Sequence, residues 1–248
     1  MDWRNTLAQA ACAVALAGCS AAETASTDRF VTDGRLIALS GGAAGAANAC
    51  FTCHGLDGRG NGAGAPRLAG LDLGYMERQL EAYADGRRNH PEMVAIATRL
   101  APTHRHLVSA YYAAMPYEPA RAPVAPPPAL YVSGDPAGGL PACASCHGLA
   151  GEGLGPANPP LGGQPASYLA EQMHLWRQSK RRNDPGNIML RISQRLTPRE
   201  IAAVSSYAAA LPGGPPRPVS PAASPAARRA DPRNGASKPP PRGAAPAP

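Results

Sequence analysis

The segment Cys50-Phe51-Thr52-Cys53-His54 recurs as Cys143-Ala144-Ser145-Cys146-His147. Cys-x-x-Cys-His is the spacing at which a c-type haem is attached covalently. On a helical turn, residues i and i+3 share a face, so both sulfurs can reach the two vinyl groups of a porphyrin. The histidine that follows then offers a ring nitrogen to the iron. Cys50, Cys53, Cys143 and Cys146 are therefore the candidate attachment points for two haem c groups, with His54 and His147 as candidate iron ligands. Two rival readings fit less well. Cys-x-x-Cys pairs that build a zinc site stand roughly 15–20 residues apart, whereas 89 residues lie between Cys53 and Cys143. A dithiol redox pair belongs between a strand and a helix, and neither copy has that setting.

A histidine-ligated haem either keeps an open sixth position, suited to small molecules, or takes a second protein ligand, suited to electron transfer. The chain carries its own internal comparison. Shifted by 93, Gly55, Leu56, Gly58, Gly60, Pro66, Leu68, Gly70, Tyr75 and Gln79 fall on Gly148, Leu149, Gly151, Gly153, Pro159, Leu161, Gly163, Tyr168 and Gln172. A shift of 94 matches Arg87-Arg88-Asn89 with Arg181-Arg182-Asn183, and one of 96 matches Leu100 with Leu196. The sequence reads as an internal duplication. Of the methionines after each motif, only Met93 and Met189 fall at matching places, each seven residues before the leucine ahead of the last helix. They are the predicted sixth ligands, giving a His/Met pair in each half. Met76, Met115 and Met173 have no matching methionine and read as packing residues. His90 and His174 fall opposite acids and read as solvated polar positions.

Two further recurring sets stay open. Arg87/Arg88 and Arg181/Arg182 suit haem propionates, since a guanidinium fork matches a carboxylate, and equally suit a solvated turn. Tyr75/Tyr168 and Gln79/Gln172 are spaced i, i+4 on one helix; they read as core packing or as propionate donors.

The elements that must position these groups are helical. Apolar residues at three- and four-residue spacing predict helices over 73–83 and 167–176, with final helices over 103–115 and 197–211. Thr197-Pro198-Arg199-Glu200 has the order of an N-cap, a first-turn proline and a capping-box glutamate. No alternating strand pattern is present, so the class is all-α. Six of thirteen residues from Pro116 to Pro128 are proline, which reads as a semi-rigid linker. Domains are expected over 30–117 and 129–212, joined by a linker over 118–128, with a disordered Pro/Ala/Arg-rich tail over 213–248. Two Phe and two Trp among 248 residues are a thin aromatic supply for two small domains. A haem, a large apolar plate, would fill that gap.

The formal charge of +7 does not mark a nucleic-acid binder. The tail holds six basic residues against Asp231, interleaved with Pro and Ala and without aromatics for stacking bases. Near the N-terminus, a short apolar run ends in Leu16-Ala17-Gly18-Cys19. It is too short to span a bilayer and has the form of a lipobox. A signal over 1–18, cleavage before Cys19 and a lipid anchor on its sulfur are expected, with a tether over 19–29. An ordinary secretory signal is the alternative. Either places the chain in the periplasm, outside the cytoplasm.

Cys-x-x-Cys-His, then Pro-x-Leu-x-Gly, then Tyr-x-x-x-Gln, then a methionine before an Ala/Tyr-rich helix resembles a class I cytochrome c domain. Two in tandem behind an export signal resemble the dihaem cytochrome c4 family. The resemblance covers residues 30–212 and does not extend to the tail or the Pro-rich linker. It implies that Pro66 and Pro159 offer their carbonyls to the second nitrogen of the haem histidine. It also implies transient redox partners, a periplasmic or membrane donor and an acceptor such as a terminal oxidase, between which single electrons pass. The alternatives are a dihaem redox enzyme of peroxidase or thiosulfate-oxidising type, or a cytochrome subunit of a membrane dehydrogenase or oxidase complex.

Overall fold

The computed structural model describes residue 29 and residues 32–62, 64–117 and 126–213. The expected signal, Cys19, the tether up to 28, linker positions 118–125 and the tail beyond 213 lie outside the described residues.

The described residues are helical and turn-rich, with isolated bridges and no strand. Residues 32–40 form α1. In the first half follow α2 (Phe51–His54), α3 (Leu73–Ala84), α4 (Pro91–Ala97) and α5 (Pro102–Ala114). The second half has α6 (Ala129–Val132), α7 (Ala144–His147), α8 (Ala166–Arg177), α9 (Ile188–Arg195) and α10 (Pro198–Ala210). Local chemistry sets several starts. Asp72 accepts a hydrogen bond from Tyr75 N (2.8 Å) at the start of α3. Proline opens α4, α5 and α10, where its missing N–H costs nothing. Thr197 and Glu200 close the predicted capping box on α10. The two long helices of each half pack together, α3 on α5 and α8 on α10, while the short α4 and α9 lie on α3 and α8. Among the described residues no single helix is long and apolar enough to cross a membrane.

The cores are small. Ile37, Leu71, Met76, Leu100, Val108 and Tyr112 make the first. In the second half, Tyr131, Ala208 and Leu211 form one cluster and Leu140, Leu196 and Ile201 another.

The halves meet through an exchange of arginines. Arg88 donates across to Tyr168 Oη (2.8 Å) and Gln172 Oε1 (2.8 Å), and back to Gln79 Oε1 (3.1 Å). Arg181 donates across to Gln79 Oε1 (3.0 Å) and Tyr75 Oη (3.5 Å), and back to Gln172 Oε1 (2.8 Å). Their backbones pair as an antiparallel bridge, with Arg182 N donating to Arg87 O (2.8 Å). Each guanidinium also lies over a ring of its own half, Arg88 over Tyr83 at 4.5 Å and Arg181 over Trp176 at 3.9 Å.

This seam corrects two readings of the sequence. Arg88 and Arg181 are each 3% exposed, not part of a solvated turn; only Arg87 and Arg182 are exposed. The register also changes. Arg88 N bonds Ala82 O and Arg181 N bonds Leu175 O, so the arginines correspond at a shift of 93, not 94. All three extra residues of the second half, the step from a shift of 93 to 96, then fall after the pair, where the chain winds into the 3-10 turn Pro185–Asn187 before α9.

Replacing Arg181 by Met would remove one charged donor each from the half-buried Gln79 and the buried Gln172, which keep Arg88. The expected cost is about 1–3 kcal/mol, read as a lower Tm of the haem-loaded chain with both haems retained. An unchanged Tm would show that the seam does not hold the halves together.

Candidate functional site

Each Cys-x-x-Cys-His segment is one helical turn, α2 or α7, closed by a hydrogen bond from the histidine N to the first cysteine O (2.9 Å in both). None of the four cysteines is in a disulfide. Burial pushes the Cys50 thiol up to about 11, and burial likewise raises Cys143, so neither is a thiolate at neutral pH. The two cysteine pairs are not brought together: among the described residues no group of three or more Cys, His, Asp or Glu is placed to hold a metal ion. That removes the zinc reading.

His54 is 7% exposed and its Nδ1 lies 2.9 Å from Pro66 O. His147 Nδ1 lies 2.9 Å from Pro159 O. A carbonyl only accepts, so Nδ1 carries the proton and Nε2 keeps its lone pair. Burial holds both imidazoles below the ordinary histidine range, against the raising effect of the proline carbonyl. A buried, neutral ring with one nitrogen free is the form that can bind iron. The loop after each motif must press close to reach this arrangement. At Gly60 (φ +79°) a Cβ would stand 2.9 Å from Pro66 O, and at the matching Gly153 (φ +79°) a Cβ would stand 2.8 Å from Pro159 C. Glycine is required at both.

Met93 and Met189 occupy the first turns of α4 and α9, both half-buried. Their helices start differently. His90 precedes α4 without a side-chain cap, whereas Asp184 Oδ2 accepts from Met189 N (2.8 Å) and Leu190 N (3.4 Å). Met76 is in the first core, and Met115 and Met173 pack against core clusters. His90 is exposed beside Glu92 at 3.2 Å.

The residues present fit two haem groups. Besides the thiols and neutral imidazoles, the seam concentrates positive charge in two buried arginines. Neither Arg88 nor Arg181 has an ion pair to a carboxylate among the described residues. Burial alone would raise the Tyr168 phenol, yet Arg88 and Arg181 hold it below the ordinary tyrosine range. Two buried like charges cost several kcal/mol each unless neutralised, and propionates have the charge and shape to do so. Sequence reasoning noticed these arginines but not that they face each other, because recurrence within a chain does not show which surfaces meet. Arg67 and Gln164 were missed altogether, since neither recurs. Both are buried between the halves.

A family model for cytochrome c matches residues 40–112 and 140–211, one match in each half. The thiosulfate dehydrogenase electron acceptor of Stutzerimonas stutzeri is 42% identical over 183 residues, covering 71% of this chain and 84% of that protein. The crystal structure of reduced cytochrome c4 from Pseudomonas stutzeri is 30% identical, with a TM-score of 0.60, and covers 65% of this chain and 93% of that one. A thiosulfate dehydrogenase (TsdBA) structure from Marichromatium purpuratum is 42% identical, with a TM-score of 0.66, over 73% of this chain; the chain spans only 40% of that longer protein.

Proposed function

The chain belongs to the cytochrome c family as a two-haem electron carrier of the cytochrome c4 kind, and from that premise we propose how its residues divide the task. Cys50 and Cys53 attach one haem c, and Cys143 and Cys146 the other. His54 with Met93, and His147 with Met189, would hold the two irons. When bound, each haem supplies a one-electron couple, with the thioether favouring the ferrous state. The chain does the rest. Pro66 and Pro159 hold the Nδ1 protons and so fix ring orientation and ligand basicity. The methionines close the sixth positions against small molecules. Arg88 and Arg181 take propionate charge at the seam and keep the two domains in contact, so that electrons pass between them. The observation that carries this reading is the same 2.9 Å histidine–proline hydrogen bond in both halves.

The electron donor is a thiosulfate-oxidising dehydrogenase. Support comes from a relative named as the electron acceptor of such an enzyme, and from likeness to part of a thiosulfate dehydrogenase. The chain works in the periplasm with domains over 30–117 and 129–212. It is held at the membrane by lipid on Cys19 after loss of residues 1–18, with the tail as a solvated extension.

A purified thiosulfate dehydrogenase given thiosulfate is expected to reduce both haems of the full chain, followed by the growth of the reduced α-band. If ascorbate reduces the chain and this mixture does not, the donor is wrong. Met93→Ala should turn one haem high-spin and lower its potential while the other titrates unchanged; an unaltered redox titration would remove Met93 from the iron. Cys19→Ala should move the cytochrome from the membrane to the soluble periplasmic fraction. Unchanged membrane retention would exclude the lipid anchor.

A further inference from the structure

One peptide group joins the second half of the molecule to the histidine of the first. The carbonyl of the Pro66–Arg67 peptide accepts from His54 Nδ1 at 2.9 Å. The N–H of that same peptide donates to Gln164 Oε1 at 3.0 Å. Gln164 Nε2 closes the clasp by donating to Arg67 O at 2.9 Å. The Arg67 side chain is drawn in as well, donating from Nη2 to Gly162 O at 3.0 Å and lying 3.8 Å over the Tyr117 ring. Arg67 is 1% exposed and Gln164 5% exposed, so water does not compete for these bonds.

We propose that Gln164 is a positioning residue for the first haem's histidine, acting through the Pro66–Arg67 peptide from the opposite domain. This rests on the reading of His54 as an iron ligand. An amide whose N–H is hydrogen-bonded is polarised, and its carbonyl becomes the better acceptor. A stronger bond from Nδ1–H makes the imidazole more basic at Nε2, which stabilises ferric iron and lowers the potential. Docking of the second domain is thereby felt at the first iron.

The device exists on one side only, and the sequence shows why. The matching peptide in the second half is Pro159–Pro160, which has no N–H to give. The position matching Gln164 is Leu71, which has no amide to offer. His147 keeps its proline carbonyl, but nothing from the first domain can grip that peptide in the same way.

The test uses the full chain with both haems, titrated by spectroelectrochemistry, the first haem being the one altered by Met93→Ala. Gln164→Leu should raise the first potential relative to the second, shifting electron sharing between them roughly 3- to 10-fold, the equivalent of one hydrogen bond. Gln164→Glu keeps an acceptor for Arg67 N–H and should not raise it. Arg78→Ala removes a different contact between the halves, Arg78 to Pro156 O, and should leave both potentials in place. No shift in Gln164→Leu, or an equal rise in Gln164→Glu or Arg78→Ala, would overturn the relay. His54→Ala judges the ligand reading separately. Loss of the first haem's low-spin spectrum keeps that reading, and if Gln164→Leu is then silent the relay alone falls.

Discussion

An imidazole, buried at His54 and half-buried at His147, with its Nδ1 proton committed to a proline carbonyl is the contact around which each half is arranged. Water would compete for that proton, so the ring must be enclosed, and enclosure keeps it neutral. The proline must return to the ring after a loop of eleven residues (His54 to Pro66, His147 to Pro159). The loop achieves this by folding on itself: Gly60 N bonds His54 O and Leu68 N bonds Gly58 O, repeated as Gly153 N to His147 O and Leu161 N to Gly151 O. Only then can α3 and α8 start where they do, with their Tyr and Gln side chains turned toward the opposite half. The seam is downstream of the histidine.

At that seam the chain accepts an arrangement that would be costly by itself. Arg88 and Arg181 share the oxygens of Gln79 and Gln172, so two cations donate to the same acceptors, with no carboxylate paired to either among the described residues. Glutamine is neutral and cannot cancel their charge. Haem propionates placed here would supply the missing negative charge, and charge neutralisation and domain contact would then be one event.

Much of this was legible in the residues. The haem motifs, the long-helix boundaries and the capping box at Thr197 rest on short-range spacing, which a single sequence displays directly; the role of Pro66 and Pro159 came from the family resemblance. The seam was not legible, because it depends on which surfaces of two similar halves meet. Tyr75 and Gln79 read as core packing or propionate donors; Tyr75 does pack against the first core, and both also face Arg181 across the interface. The short helices α4 and α9 were also hard to see. With seven and eight residues they are below the length at which helical periodicity stands out, and their starts depend on His90-Pro91 in one case and the Asp184 carboxylate in the other.

Those two starts matter beyond the question of legibility. Identical ligand pairs would by themselves give two identical potentials, and the halves depart from each other at both axial positions. On the histidine side, the Pro66–Arg67 amide is polarised from the other domain and the Pro159–Pro160 amide is not. On the methionine side, the Asp184 carboxylate sits at the backbone of Met189, where the first half has an exposed His90. With the proposed ligands in place, the amide relay would favour ferric iron in the first domain and the Asp184 carboxylate would favour it in the second, so the two departures act on different haems with the same sign.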